Sequence, residues 1–341
     1  MGKLSVLNKF VFFLNSIVAL LLLISCVVPH ISLRSISFLF IFSLAVPYLV
    51  VVNILFLGYW VLLGKRQFWL SSVVLIMGYF FLGTFIKFSE ANAESEEKSL
   101  SILTFNAQSF RGNSREDNPQ LSDGIVKFIK EENADIVCFQ EFDYSKIRSK
   151  DFEQYPYKHV NFEFGVYSGK VIQAIYSKFP ITNKGSLNFP NTGNNALFAD
   201  IVVKSDTLRI YNLHLQSLRV RPGSLRREES QKLLKRLSNS FVKQQEQAEI
   251  ILEHSKTTSY KKIICGDFNN SQYSSVYYDI KGDMKDSFME MGSGYGRTYN
   301  FKFLPLRIDF ILVDEQMEVL AHKNYDVKLS DHFPVMASIK L

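Results

Sequence analysis

Two hydrophobic rhythms divide the 341-residue chain. Before residue 89 apolar residues run on almost without a break; after it they come in short bursts between polar stretches. Residues 10–28, 36–63 and 67–86 contain no charged residue. Each can cross the hydrocarbon core of a bilayer, which takes about 20 apolar residues. None has the polar face of a soluble helix. Three transmembrane helices are expected, the second interrupted by Pro47 and Asn53. A cleaved signal peptide fits badly, since two more apolar spans follow the first. Residues 89–99 (SEANAESEEKS) read as an acidic linker leaving this membrane part, residues 1–88, and residues 100–341 form the soluble domain.

In the soluble domain, SILTFNAQSF (101–110) reads as a first strand. LSDGIVKFIKEENA (121–134) has apolar residues at helical spacing and Ser122 as an N-cap. DIVCFQE (135–141), KVIQAIYSKFPI (170–181), KIICGDFN, RIDFILV (307–313) and HFPVMASIKL (332–341) read as strands. ALFADIVV (196–203) and LRIYNLHL (208–215) pair around a turn, and residues 224–254 form a long helix. Many strands with few helices between them predict two packed sheets with helices outside.

Charge sharpens the division. Up to residue 89 there is no acidic residue, and the basic ones are Lys3, Lys9, Arg34, Lys65, Arg66 and Lys87. The net charge of +6 therefore belongs to the membrane part, and the remainder, residues 89–341 with the acidic linker included, is formally neutral. A basic pI is thus no argument here for nucleic-acid binding. Lys3, Lys9, Lys65 and Arg66 fall on one side of the membrane, Arg34 and Lys87 on the other. The excess puts the amino terminus inside and the domain outside. In a bacterium that means a multi-pass inner-membrane protein with a periplasmic domain. Cys26, Cys138 and Cys265 lie in apolar runs and suggest buried residues rather than zinc ligands or disulfides.

Several strands end in polar groups: TFNAQ in Asn106, VCFQE in Glu141, YNLHL in His214, ICGDFN in Asp267 and Asn269. Asp309 lies in RIDFI, and Asp331 and His332 precede FPV. A buried, unpartnered carboxylate costs several kcal/mol, so one explanation is needed for all of them. Converging strand ends around a cation supply it. Oxygen ligands (Glu141, an Asp, the Asn106 carboxamide) suit Mg²⁺ or Mn²⁺. A His beside an Asp supplies a base. The chemistry is metal-assisted hydrolysis of a phosphate ester.

The order TFNAQ, VCFQE, AIYSKFPI, YNLHL, ICGDFN, GRTY (296–299), RIDFILV and SDHFPV resembles the endonuclease/exonuclease/phosphatase superfamily over residues 100–341. The resemblance implies an α+β fold, a four-layer α/β/β/α sandwich of two packed mixed sheets flanked by helices. It implies a divalent-metal-dependent phosphoesterase acting on nucleic acid, phospholipid or inositol phosphate, with no obligate protein partner. Glu141, Asn106 and Asp331 would serve the metal. His332 would activate water, oriented by Asp309. His214 would assist the phosphate or leaving oxygen. Asp267 and Asn269 would orient the water and bind the phosphoryl oxygens. Two positions depart from the pattern. Gln108 stands where the apurinic-endonuclease branch has an acid. Lys170 stands in the region where the deoxyribonuclease branch has the Glu that partners His214. A non-catalytic module binding phosphorylated ligands or a protein is the alternative, and such a module has no need of both His332 and Asp309.

Overall fold

A computed structural model describes residues 4–30, 37–88, 99–111, 119–148, 150–162, 169–219, 229–301 and 304–341. Three helices open the chain: α1 (Val6–Val27), α2 (Ile41–Leu62) and α3 (Phe68–Leu82). The first two are long and apolar enough to cross a membrane. The third expected span is corrected. Gly83, at φ +82°, ends α3 after 15 residues, a length of about 22 Å against the roughly 30 Å of a hydrocarbon core. The chain leaves the helix there, and Lys87 pairs with Gly294 in an isolated β-bridge. Arg34 and most of the acidic stretch 89–99 lie outside the described residues.

The three helices pack through Ala19, Leu22, Cys26, Val46, Val50 and Val74. Asn15 adds a polar tie. Its amide donates to Ser71 at 2.8 Å, and Trp60 donates to its oxygen at 2.9 Å, so one buried residue joins all three helices. Asn15→Leu strands both partners. It is expected to lower the stability of the detergent-solubilised chain by about 1–2 kcal/mol. An unchanged unfolding midpoint would show that the tie contributes nothing.

The rest of the chain runs β1 (Leu100–Asn106), α4 (Pro119–Glu132), β2 (Ile136–Gln140), β3 (Tyr157–Val160), β4 (Ala174–Ser177), β5 (Ile181–Asn188), β6 (Asn195–Val203) and β7 (Asp206–His214). It continues with α5 (Ser230–Ser255), β8 (Lys261–Asp267), α6 (Ser275–Lys281), β9 (Lys285–Asp286), α7 (Ser287–Met291) and the hairpin β10 (Tyr299–Phe301) with β11 (Leu304–Leu306). It closes with β12 (Asp309–Val313), β13 (Glu318–Asn324) and β14 (Val335–Lys340). Two six-stranded mixed sheets result, ordered β13-β14-β1-β2-β4-β3 and β5-β6-β7-β8-β12-β9.

Three apolar layers hold them. Ile102, Cys138, Ile210, Ile263 and Ile311 pack between the sheets. Val126, Phe128 and Ile129 of α4 cover the outer face of the first sheet through Phe105 and Phe139. Leu237, Phe241 and Ile251 of α5 cover the second through Tyr211, Ile264 and Phe310. The expected four-layer sandwich is the observed one. Ser122 lies inside α4 rather than at its N-cap, because the helix starts earlier, at Pro119. The β6–β7 hairpin turns at Lys204, φ +57°, as its pattern implies.

Candidate active site

Parallel pairing of β1 with β2 sets Asn106 opposite Gln140, with Glu141 one residue further on. Parallel β7 and β8 set His214 opposite Asp267, and antiparallel β12 sets Asp309 opposite Asp267. Residues in register across a sheet point to one face. His214, Asp267 and Asp309 therefore form a row across the second sheet, facing Asn106 and Glu141 from the first.

The two halves touch. Asn106 Nδ2 donates to Asp267 Oδ2 at 3.0 Å and to Glu141 Oε1 at 3.4 Å. His214 Nε2 lies 3.6 Å from Glu141 Oε1 and 3.7 Å from Asp267 Oδ2. His332 Nε2 lies 3.7 Å from the same Asp267 oxygen, while its Nδ1 is 2.9 Å from Asp309 Oδ2. Asp267, Asp309 and His332 place ligand-type atoms within 4.8 Å of one another. The Nδ1–Asp309 bond makes His332 and Asp309 a proton-handling pair first. Both Asp267 oxygens already accept hydrogen bonds, and the partly exposed Glu141 carboxylate is the more open acceptor.

Burial pushes the Asp267 carboxyl up to about 6, against the pull of His332 and with the charge of Asp309 adding to the rise. Burial alone would lower the His332 imidazole. The charges of Asp309 and Asp267 outweigh it and raise the group to about 10.

Asn269 donates its backbone N–H to Asp267 Oδ1 at 2.7 Å and its amide to Leu215 O and Asp267 Oδ2. Its donors are spent, so it acts by holding Asp267. Ser330 joins the last segment to β1, donating to Asn106 O at 2.8 Å and to Asp331 Oδ1 at 3.3 Å. Asp331 thus sits at the rim, half-buried. His214 Nδ1, the atom that the partner acid of the deoxyribonuclease branch would hold, is buried with no hydrogen-bond partner among the described residues.

Sequence reasoning passed over several supporting residues. Thr298 accepts the N–H groups of Ile308 and Asp309 at 2.9 and 3.0 Å, fixing the start of β12. Tyr299 lies against the His332 ring at 4.8 Å between centroids. Gln140 and Asn212, buried and bonded at 2.6 Å, link the two sheets beneath the row. All four lie inside the quoted motifs, Gln140 directly before Glu141 and Asn212 two residues before His214. Arg307, buried, pairs with Asp286 at 2.7 Å two residues before Asp309, and only the fold brings those two together.

A sandwich with amides, acids and two imidazoles at facing strand ends defines a phosphoesterase-type site. The family model described as Endonuclease/Exonuclease/phosphatase family matches residues 103–332, and the chain belongs to that family. A second model, a domain of unknown function (DUF8431), matches residues 8–85. No curated protein sequence matches the chain. Among solved structures, humanized D. rerio TDP2 is similar at 16% identity and TM-score 0.56, covering 72% of this chain and 100% of its own. The Bacteroides thetaiotaomicron mannosyl-6-phosphatase is similar at 20% identity and TM-score 0.53, with 71% and 100% covered. The human Nocturnin catalytic domain with bound sulfate is similar at 15% identity and TM-score 0.54, with 71% and 94% covered. At these identities the likeness is one of fold.

Proposed function

We propose that the chain is a membrane-anchored, divalent-cation-dependent hydrolase of phosphate esters. Residues 1–88 form its anchor, 89–99 its linker and 100–341 its catalytic domain, facing the periplasm. The convergence of Glu141, Asn106, Asp267, His214 and the His332–Asp309 pair at facing strand ends carries this reading. Neighbours on the same fold include a mannosyl-6-phosphatase and a TDP2 complexed with a single-strand DNA product. The ester could therefore be of several kinds.

The residues fit a hard cation. Three carboxylates, Glu141, Asp267 and Asp309, crowd a mostly buried site, that of Glu141 the most open, and burial alone drives Asp267 towards its neutral form. Glu141 and Asn106, with Asp331 at the rim, would hold Mg²⁺ or Mn²⁺. Bound there, the ion would neutralise phosphoryl oxygen charge and acidify water. His332, charged in the cation-free protein, serves as base in its neutral form: Nε2 takes the proton of the attacking water, and Asp309 on Nδ1 fixes the ring and stabilises the imidazolium. The water oxygen bonds to phosphorus as the ester P–O bond breaks. His214 Nε2, buried between two carboxylates, donates to the phosphoryl or leaving oxygen. Asp267, held by Asn106 and Asn269, is placed to orient the water.

Proton and cation compete here. The folded pKa of Asp267, about 6, lies above the ordinary 3.8, so its ionised form costs stability. The cation-free protein therefore loses this contribution as pH rises from about 4 through about 6. A cation offsets the loss only where Asp267 is ionised. Mn²⁺ affinity by calorimetric titration is expected to be about ten-fold weaker near pH 5 than near pH 8. A pH-independent affinity would remove Asp267 from the cation's surroundings. The function itself is tested by phosphate-ester hydrolysis with and without Mg²⁺, using wild type and Glu141→Gln. Equal turnover in both proteins would refute the site.

A further inference from the structure

Resting on the reading above, we infer that the substrate is a phosphate ester carried in the lipid headgroups of the bilayer that holds the chain. The structure makes the anchor a fixed mount for the active site. Val28 and Phe40, at the domain-facing ends of α1 and α2, are buried in the same apolar cluster as Phe241 of α5, Tyr277 of α6 and Phe268. Phe268 lies between Asp267 and Asn269 and packs on Phe310, next to Asp309, at 4.9 Å between centroids. The strands that carry the catalytic row thus present acids to the site on one face and rings to the anchor on the other.

Both loops flanking the site also rest on the anchor. Ser271 donates to the carbonyl of Ser43 in α2 at 3.3 Å, and Tyr273 meets Phe85 at 6.0 Å between rings. Asn270, just before Ser271, donates to Gln244 of α5, whose amide reaches Phe268 O and Asn269 O. On the other side Gly294 bridges Lys87 through paired backbone bonds of 3.0 and 2.8 Å, and that loop continues to Tyr299, which lies on His332.

Chain length bounds the distances. Asn269 is two residues from Ser271, at most about 7 Å of chain. The lipid-type exposed apolar surface of α2 begins at Tyr48, five residues and about 7.5 Å along the helix from Ser43. On the neighbouring helices it reaches Val27 and Phe81. Among the described residues, 23 of the 28 exposed large apolar side chains precede residue 89, so this surface belongs to the bundle. Asp267 is four residues from Ser271, so the catalytic row stands within roughly 25 Å of the hydrocarbon edge, on the side where the headgroup layer, about 5–8 Å deep, lies. Phe88 and Tyr295, exposed beside the Lys87–Gly294 bridge, have the aromatic character of an interface belt. The soluble domain, residues 100–341, has 32 Lys and Arg against 29 Asp and Glu, and that small net charge is a weak attraction for a nucleic-acid backbone.

Hydrolysis adds water across the P–O bond: the hydroxyl goes to phosphorus and the proton to the departing alcohol. The test uses the full chain in phosphatidylcholine vesicles with Mg²⁺ and two diesters that differ only in their alkyl group. Hexadecyl 4-nitrophenyl phosphate resides in the bilayer, and methyl 4-nitrophenyl phosphate stays in water. The bilayer-borne ester is expected to turn over at least about ten-fold faster in the protein's own vesicles than the methyl ester at equal bulk concentration. It is expected to be cleaved far more slowly when supplied in separate, protein-free vesicles. Hydrolysis of the methyl ester at the same rate as its lipid counterpart, or faster cleavage of single-stranded DNA than of either, would overturn the inference and leave the phosphoesterase standing. If no substrate is cleaved, both readings fall.

Discussion

His332→Ala is expected to lower kcat by about 10³-fold with little change in KM, and to lower the unfolding midpoint of the cation-free protein because Asp309 is left buried without its partner. Among the described residues, His332 has the one imidazole whose Nδ1 is held by a buried carboxylate, Asp309, at 2.9 Å, with Nε2 turned to the site. A general base placed in this way contributes about 10²–10⁴-fold. Asp309→Asn gives the complementary readout. It removes the charge that does most to raise the His332 imidazole, so its pKa, followed by ring NMR in the cation-free protein, falls from about 10. A purely structural His332 would leave turnover near wild type in the Ala variant, and that result would end its assignment as base.

The second large effect is on folding. Gly266→Ala is expected to destabilise the chain by roughly 3–5 kcal/mol, measured as a shift of the thermal or urea midpoint. Gly266 sits at φ +127°, where a side chain is strained, and an added Cβ would lie 2.2 Å from Leu213 O and 2.7 Å from Leu213 N. Leu213 is its partner in the parallel β7–β8 ladder, one residue before the His214–Asp267 pair. Relieving the clash means separating the two strands that set that pair. Gly58→Ala is the contrast. Gly58 lies within α2 with nothing within 4 Å of an added Cβ, and the change is expected to leave stability unchanged or slightly raised. Equal midpoints for the two variants would show that the close approach at Gly266 is not needed.

Much of this architecture is written in local pattern. Charge-free stretches announce α1 and α2, because a helix with no polar face has few places to go. The alternation of strands and turns gives the hairpin β6–β7 directly. The polar residues ending TFN, FQE, LH, GDFN and RID are conspicuous because apolar runs precede them. Elements with weak local signals are less legible. β5 is mostly exposed and polar in sequence, and β9 is only two residues long. The end of α3 at Gly83 was masked by the apolar residues Phe85 and Ile86 that follow it, of which Phe85 packs against Tyr273 of the strand-rich domain.

By itself the sequence determined the division into an apolar, basic amino-terminal part and a neutral strand-rich remainder, and it singled out the polar side chains at strand ends on which the proposed chemistry rests. Periodicity and residue type are local properties, and they survive without a fold. Which carboxylate faces which imidazole was decided only by the tertiary structure. The Asp309–His332 bond spans 23 residues and the Asn106–Asp267 bond 161. Strand register and the packing of two sheets set those distances, along with the seat of the helical bundle beside the catalytic loop. They depend on contacts among residues far apart in the chain, which no stretch of sequence contains.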